Sequence, residues 1–92
     1  DPGVAAPASL AWGDCLQEQE EVPQALSKYR RAAAAAILPE QEAIRHEALY
    51  KAGRLTEEIR LASQARRYYR ELVAEAPHYE DAASRLAALP EY

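Results

Sequence analysis

Residues 12–33, WGDCLQEQEEVPQALSKYRRAA, read against residues 52–73, AGRLTEEIRLASQARRYYRELV, decide the fold. A shift of 40 places superimposes Gly13 on Gly53, Ala25 on Ala65, Tyr29 on Tyr69 and Arg30 on Arg70. Glu18 falls on Glu58, and small or apolar residues meet at Trp12/Ala52, Ala32/Leu72 and Ala33/Val73. In both copies twelve places separate Gly from Ala, and four more separate Ala from Tyr. Self-similarity at a fixed period of a few tens of residues marks one supersecondary unit stacked on the next.

The flanking pattern is helical. Ala25, Leu26, Tyr29, Ala32, Ala33, Ala36 and Ile37 recur at helix spacing after Pro23, a residue suited to a first turn because its missing N–H needs no partner there. Pro39 closes that helix. Before it, Leu10, Ala11, Trp12 and Leu16 supply the apolar side of a helix from about Ala8 to Gln19, and the Pro-rich residues 1–8 read as a flexible lead-in. From Glu40 to Ala76 the pattern continues through Ile44, Ala48, Ala52, Leu55, Ile59, Ala62, Ala65, Tyr69, Leu72 and Val73, too long for one helix in so short a chain. A turn is therefore expected within it. It falls either at Gly53 to Leu55, with Thr56 as cap, or at Arg60 to Ser63, with Ser63 as cap; the 40-place shift favours the second and leaves Gly53 inside a long third helix. A short last helix from Glu80 to Leu89 ends at Pro90. Residues 9–90 then form a single helical domain, read as a piece of a longer chain.

Composition agrees with an all-α class. The chain has 92 residues, of which 49% are hydrophobic, and 21 are Ala. With one Thr, no Phe and no period-two alternation, no strand is expected. Apolar burial at about 25 cal/mol per Å2 gives roughly 140 kcal/mol, against an ordering cost of about 1.5 kcal/mol per residue. These nearly cancel, so neighbouring repeats or a second copy would supply useful stability.

The formal charge of -4 argues against a general nucleic-acid binder, and Arg60, Arg66, Arg67 and Arg70 around Tyr68 and Tyr69 read as a solvated helix face. No apolar run reaches the roughly 18 residues of a membrane span. One cysteine, Cys15, allows no internal disulfide and leans towards a reducing, cytoplasmic setting. Catalytic and metal patterns are missing: His46-Glu47 lacks the second His of H-E-x-x-H, three glycines make no phosphate loop, and Cys15 sits beside Asp14, whose charge opposes a thiolate. The expectation is no enzyme, no metal and no cofactor.

These residues resemble the tetratricopeptide repeat (TPR) family, W-x2-L-G-x2-Y…A-x3-F…P over 34 residues. The resemblance covers about residues 6–90. Trp12-Gly13-x2-Leu16 and Ala25-x3-Tyr29-x2-Ala32 match one unit; Leu49-x2-Ala52-Gly53, Ala65-x3-Tyr69 and Pro77 match the next. Ser9, Thr56 and Leu72 depart from it, and the period exceeds the standard one by six residues, which lengthens the segment around Ile37 to Arg45. The resemblance implies two antiparallel helix pairs plus a C-terminal capping helix, with the aromatic filling space between successive pairs. A plain antiparallel helical bundle is the alternative.

The same resemblance implies a concave groove lined by first helices, binding a peptide or partner helix. Carried over position by position, it shows Leu10, Asp14, Gln17 and Glu18, then Glu47, Tyr50, Lys51 and Arg54, then Ser84 and Arg85. Asp14, Gln17, Tyr50, Lys51, Arg54 and Arg85 are the expected partner-binding residues. Lys51, Arg54 and Arg85 suit an acidic group or a terminal carboxylate, with Tyr50 as aromatic anchor. A chaperone-tail clamp is not expected, because the chain has no Asn and Asp14 and Asp81 stand at clamp positions. Two other classes stay open: a self-assembly module pairing through Ala32 to Ala36 or the end after Leu89, and an enzyme or a regulatory subunit with its chemistry elsewhere in the chain.

Overall fold

The computed structural model describes residues 2–90. Its helices are α1 (Pro2–Glu18), α2 (Val22–Ala35), α3 (Glu42–Glu58), α4 (Ala62–Glu75) and α5 (Ala82–Ala88), with one 3-10 turn at Pro39–Gln41. No strand occurs among the described residues. The bounds of α3 and α4 are those of α1 and α2 moved by 40 places, so the shift found in the sequence is also the shift of the backbone. The turn in the long stretch lies after Glu58, and Gly53 is helical. The 3-10 turn occupies the lengthened connection, where Gln41 Oε1 accepts the Leu38 N–H at 3.4 Å.

Each hairpin turn uses the same hydrogen-bond pattern. Glu20 N–H donates to Gln17 O at 2.9 Å and Glu21 N–H to Leu16 O at 2.9 Å; Arg60 N–H donates to Glu57 O at 3.1 Å and Leu61 N–H to Thr56 O at 2.8 Å. These are the two bonds of a Schellman helix end, which needs a left-handed residue at its centre. Glu20 (φ 59°) and Arg60 (φ 64°) supply it, although glycine would do so without strain. Leu61, not Ser63, precedes the first helical residue of α4, and no side chain caps that end. Ser63 lies inside the first turn.

Residues 2–8, expected as an irregular lead-in, are the first turns of α1. Pro7 lies within that helix and has no N–H to offer the carbonyl four places back. That carbonyl, on Gly3, instead accepts from Gln41 Nε2 at 3.4 Å, and the Gln41 side chain is buried. A glutamine 38 residues away in the sequence thus meets the proline's lost bond. Local reading of the prolines has no access to it.

The chain divides into two compact units, one ending at Ala48 and the other beginning at Leu49. In the first unit α1 packs on α2. Ala6, Ala25, Leu26, Tyr29, Ala32, Ala33 and Ala36 are buried, joined by Ser9. Arg45 Nη1 donates to the Ala33 carbonyl at 3.0 Å, meeting one of the acceptors left open at the end of α2. The face of α1 turned inward is Ala6, Ser9 and Gly13, not the one expected: Ala11 and Trp12 are exposed, and Leu10 and Leu16 are half-buried. At about 100° per residue Ala11 lies nearly opposite the buried Gly13, and Trp12 lies to one side of it. Of the run Ala32 to Ala36, named above for self-assembly, Ala32, Ala33 and Ala36 are buried, Ala35 is half-buried and Ala34 is exposed.

The second unit repeats this plan. Leu49, Ala52, Leu55, Ala65, Tyr69, Leu72 and Ala82 are buried, and α4 packs on α5. Thr56 is fully buried; its hydroxyl stays satisfied by donating within its own helix, with Oγ1 2.8 Å from Ala52 O and 3.0 Å from Gly53 O. The two glycines face the two tyrosines. A Cβ on Gly13 would lie 2.7 Å from Tyr29 Cε1, and one on Gly53 would lie 2.6 Å from Tyr69 Cε1. Each aromatic therefore packs inside its own helix pair, against the glycine.

Candidate functional site

Within the second unit, α3, α4 and α5 bring together tyrosines, carboxylates and arginines. The Tyr50 hydroxyl donates to Asp81 Oδ1. Arg85 Nε donates to Asp81 Oδ2 at 2.9 Å and Arg85 Nη1 to Glu57 Oε1 at 3.2 Å. The same Glu57 oxygen accepts from the Tyr69 hydroxyl at 2.8 Å. Tyr50 also makes tilted ring contacts with Tyr69 and Tyr79, at 6.3 and 5.6 Å between centroids. The Arg54 guanidinium stands 6.0 Å over the Tyr50 ring and 4.0 Å from Glu58. One connected network thus ties α5 to α3.

The network sets three carboxylates, Glu57, Glu58 and Asp81, against two arginines, Arg54 and Arg85. The Tyr50 hydroxyl bond, then the Arg85 charge, holds Asp81 below the usual aspartate range although burial opposes this. Burial pulls Arg85 down, but Tyr50, Glu57 and Asp81 outweigh it and raise it. Burial, then the bond to Glu57, pushes the Tyr69 hydroxyl well above its ordinary value. An aromatic hydroxyl shielded from water and facing a carboxylate has every reason to keep its proton.

Of the expected partner-binding residues, the structure gathers Tyr50, Arg54 and Arg85 in this network. Arg85 is engaged by two carboxylates, so its charge already has partners, and Arg54 is only loosely held by Glu58. Lys51 follows Tyr50 on α3 and is half-buried. Asp14 and Gln17 belong to the first unit, where Asp14 Oδ1 and Gln17 Oε1 each lie 2.7 Å from the Tyr29 hydroxyl. One proton serves two acceptors there, and the charged one binds it more strongly. Burial, then the Asp14 bond, raises Tyr29 well above the ordinary tyrosine value. Gln17 and Glu57 are equivalent under the 40-place shift, so the tyrosine of each pair is anchored at the same place.

Asp81, Glu57 and Tyr79 join the site without having been expected there. The family resemblance marks Asp81 only as a clamp position, and nothing local links it to Tyr50, 31 residues away. A hollow of about 580 Å3 also opens in this unit, lined by Glu57, Arg60, Leu61, Ser63, Leu89 and Pro90 among others. Only Glu57 belongs to both. Among the described residues no three His, Cys, Asp or Glu side chains are gathered as a metal site, and no helix is long and apolar enough to cross a membrane. His46 is buried, 3.9 Å from Glu42. Compared with known proteins, the chain matches no family model, no curated protein and no solved structure.

Proposed function

We propose that the chain is a non-catalytic helix-pair repeat of the tetratricopeptide kind, a scaffold or adaptor module that binds a segment of a partner protein. The observation that carries this reading is the recurrence, at 40 places, of helix bounds, turn geometry and the glycine–tyrosine contact. Duplicated helix pairs are built to present a continuous face rather than a reaction centre. In the second unit that face offers Tyr50 as a rigid aromatic surface with Lys51 and Arg54 beside it. A partner segment carrying acidic residues and one apolar anchor fits this chemistry. Exchange of Glu58 for a partner carboxylate at Arg54 costs little, because an exposed i,i+4 pair is worth only about 0.3–0.5 kcal/mol.

Selection of the full chain against a displayed random peptide library, followed by fluorescence anisotropy with the enriched peptides, tests the reading. Acidic peptides should be enriched, and Arg54→Glu or Lys51→Glu should weaken their binding about tenfold or more while leaving the helical circular dichroism unchanged. Absence of any enriched peptide would remove the proposal. Binding lost on Leu89→Glu, but indifferent to Arg54→Glu, would move the site to the hollow beside Leu61.

A further inference from the structure

Residues Tyr79-Glu80-Asp81, in the connection from α4 to α5, lie on the aromatic anchor of the candidate site. The Tyr79 and Tyr50 ring centroids are 5.6 Å apart, and Asp81 Oδ1 accepts the Tyr50 hydroxyl. An aromatic ring and an acid two places on are the chemistry read above for a partner segment. The repeat does not ask for them. Under the 40-place shift Tyr79 and Asp81 fall on Pro39 and Gln41, and the Gln41 side chain bonds a backbone carbonyl instead. The segment is also lightly held. Glu80 takes a φ of 44°, a left-handed conformation that strains any residue but glycine. Behind it α5 has seven residues, too few for a stable helix by itself, and buries only Ala82. Its place on α3 depends on the bonds of Asp81 and Arg85. If Arg85 leaves with α5, Glu57 still has the Tyr69 hydroxyl as a donor.

We propose that Tyr79-Glu80-Asp81 is a built-in ligand of the Tyr50 site, displaced by a partner segment that carries an aromatic residue and, two places on, an acid. The proposal rests on the reading that the face around Tyr50 receives a partner segment, and adds the pattern of that segment and what it must displace. Displacement frees α5 from α3, so binding at Tyr50 and docking of α5 exclude each other. A partner then meets only the open fraction of molecules, and its apparent affinity is the intrinsic one reduced by that fraction. Variants that open the site should bind more tightly, the reverse of what loss of an ordinary contact does.

A fluorescein-labelled peptide of residues 76–84, titrated into the full chain and into its Tyr79→Ala/Asp81→Ala variant, tests this by anisotropy. The peptide should bind the double variant about tenfold or more tightly than the parent, as a site closed in nine molecules of ten requires. Asp81→Asn alone, the milder change, should give part of that gain. The same peptide carrying Tyr79→Ser and Asp81→Asn should bind neither chain. Hydrogen exchange in residues 82–88 reads the release of α5 without any peptide, and should quicken in both variants. Equal binding to parent and double variant overturns the proposal, as does exchange in 82–88 that stays at the parent rate. So does absence of binding to a variant whose α5 exchanges freely. Acidic peptides selected from the library that bind parent and variant alike would also overturn it, yet leave the proposed function standing; no enriched peptide on either chain would remove both.

Discussion

Glycine at positions 13 and 53 is demanded by contact, not by backbone freedom. Both residues are helical, and inside a helix alanine is ordinarily favoured over glycine by about 1 kcal/mol. Against that gain stands a buried tyrosine ring within 2.6–2.7 Å of the added methyl. Overpacking of this kind costs about 1–3 kcal/mol, so Gly13→Ala and Gly53→Ala should each lower the denaturant midpoint despite the better propensity. The facing tyrosines carry a pH signature. Their hydroxyls are raised in the folded state, so their contribution is complete below the unfolded value near pH 10 and declines as pH rises above it. Each should remove about 1.4 kcal/mol of stability per pH unit in that range. Absorbance titration at 295 nm should show two of the six tyrosines ionising only with unfolding.

Helix ends show where local signals stop being readable. The long stretch from Glu40 to Ala76 had no glycine at its true turn, and only the comparison with the first half placed it near Arg60. The reason lies in the Schellman geometry, which Glu20 and Arg60 adopt at positive φ without a glycine to announce it. Glu20→Gly and Arg60→Gly should each raise stability by about 0.5–1 kcal/mol, the left-handed strain outweighing glycine's entropy in the unfolded chain. Urea unfolding of the two variants measures it. Pro7 misled in the opposite direction, because its cost is met by Gln41 through a contact distant in sequence. Helix α5 depends on Asp81, held ionised by Tyr50 and Arg85. Its contribution is present above the unfolded aspartate value near 3.9 and is lost as pH falls through the lower folded value. Asp81→Asn should therefore speed hydrogen exchange in residues 82–88 at pH 7, and the difference from the parent should shrink in acid.

For the molecule as a whole, the all-helical class and the repeat were legible because Ala, Gly and Tyr recur at one shift. The inward face of α1 was not, since Trp12 is the most hydrophobic-looking residue of its helix yet is 55% exposed, with Lys28 over its ring. The candidate site was legible only in part. Tyr50, Arg54 and Arg85 do come together, but the carboxylates that hold them come from positions no motif marks. Under the proposed function an acidic segment would meet Arg54, held only by Glu58, rather than Arg85, held by two carboxylates.

The account rests on two helix pairs, each keyed by a tyrosine lying on a glycine. Proton NOE spectroscopy of the chain reads this directly. Strong cross-peaks are expected from the Gly13 α-protons to the Tyr29 ring and from the Gly53 α-protons to the Tyr69 ring. Their absence in either pair, with the glycine instead in solvent as at Gly3, would contradict it.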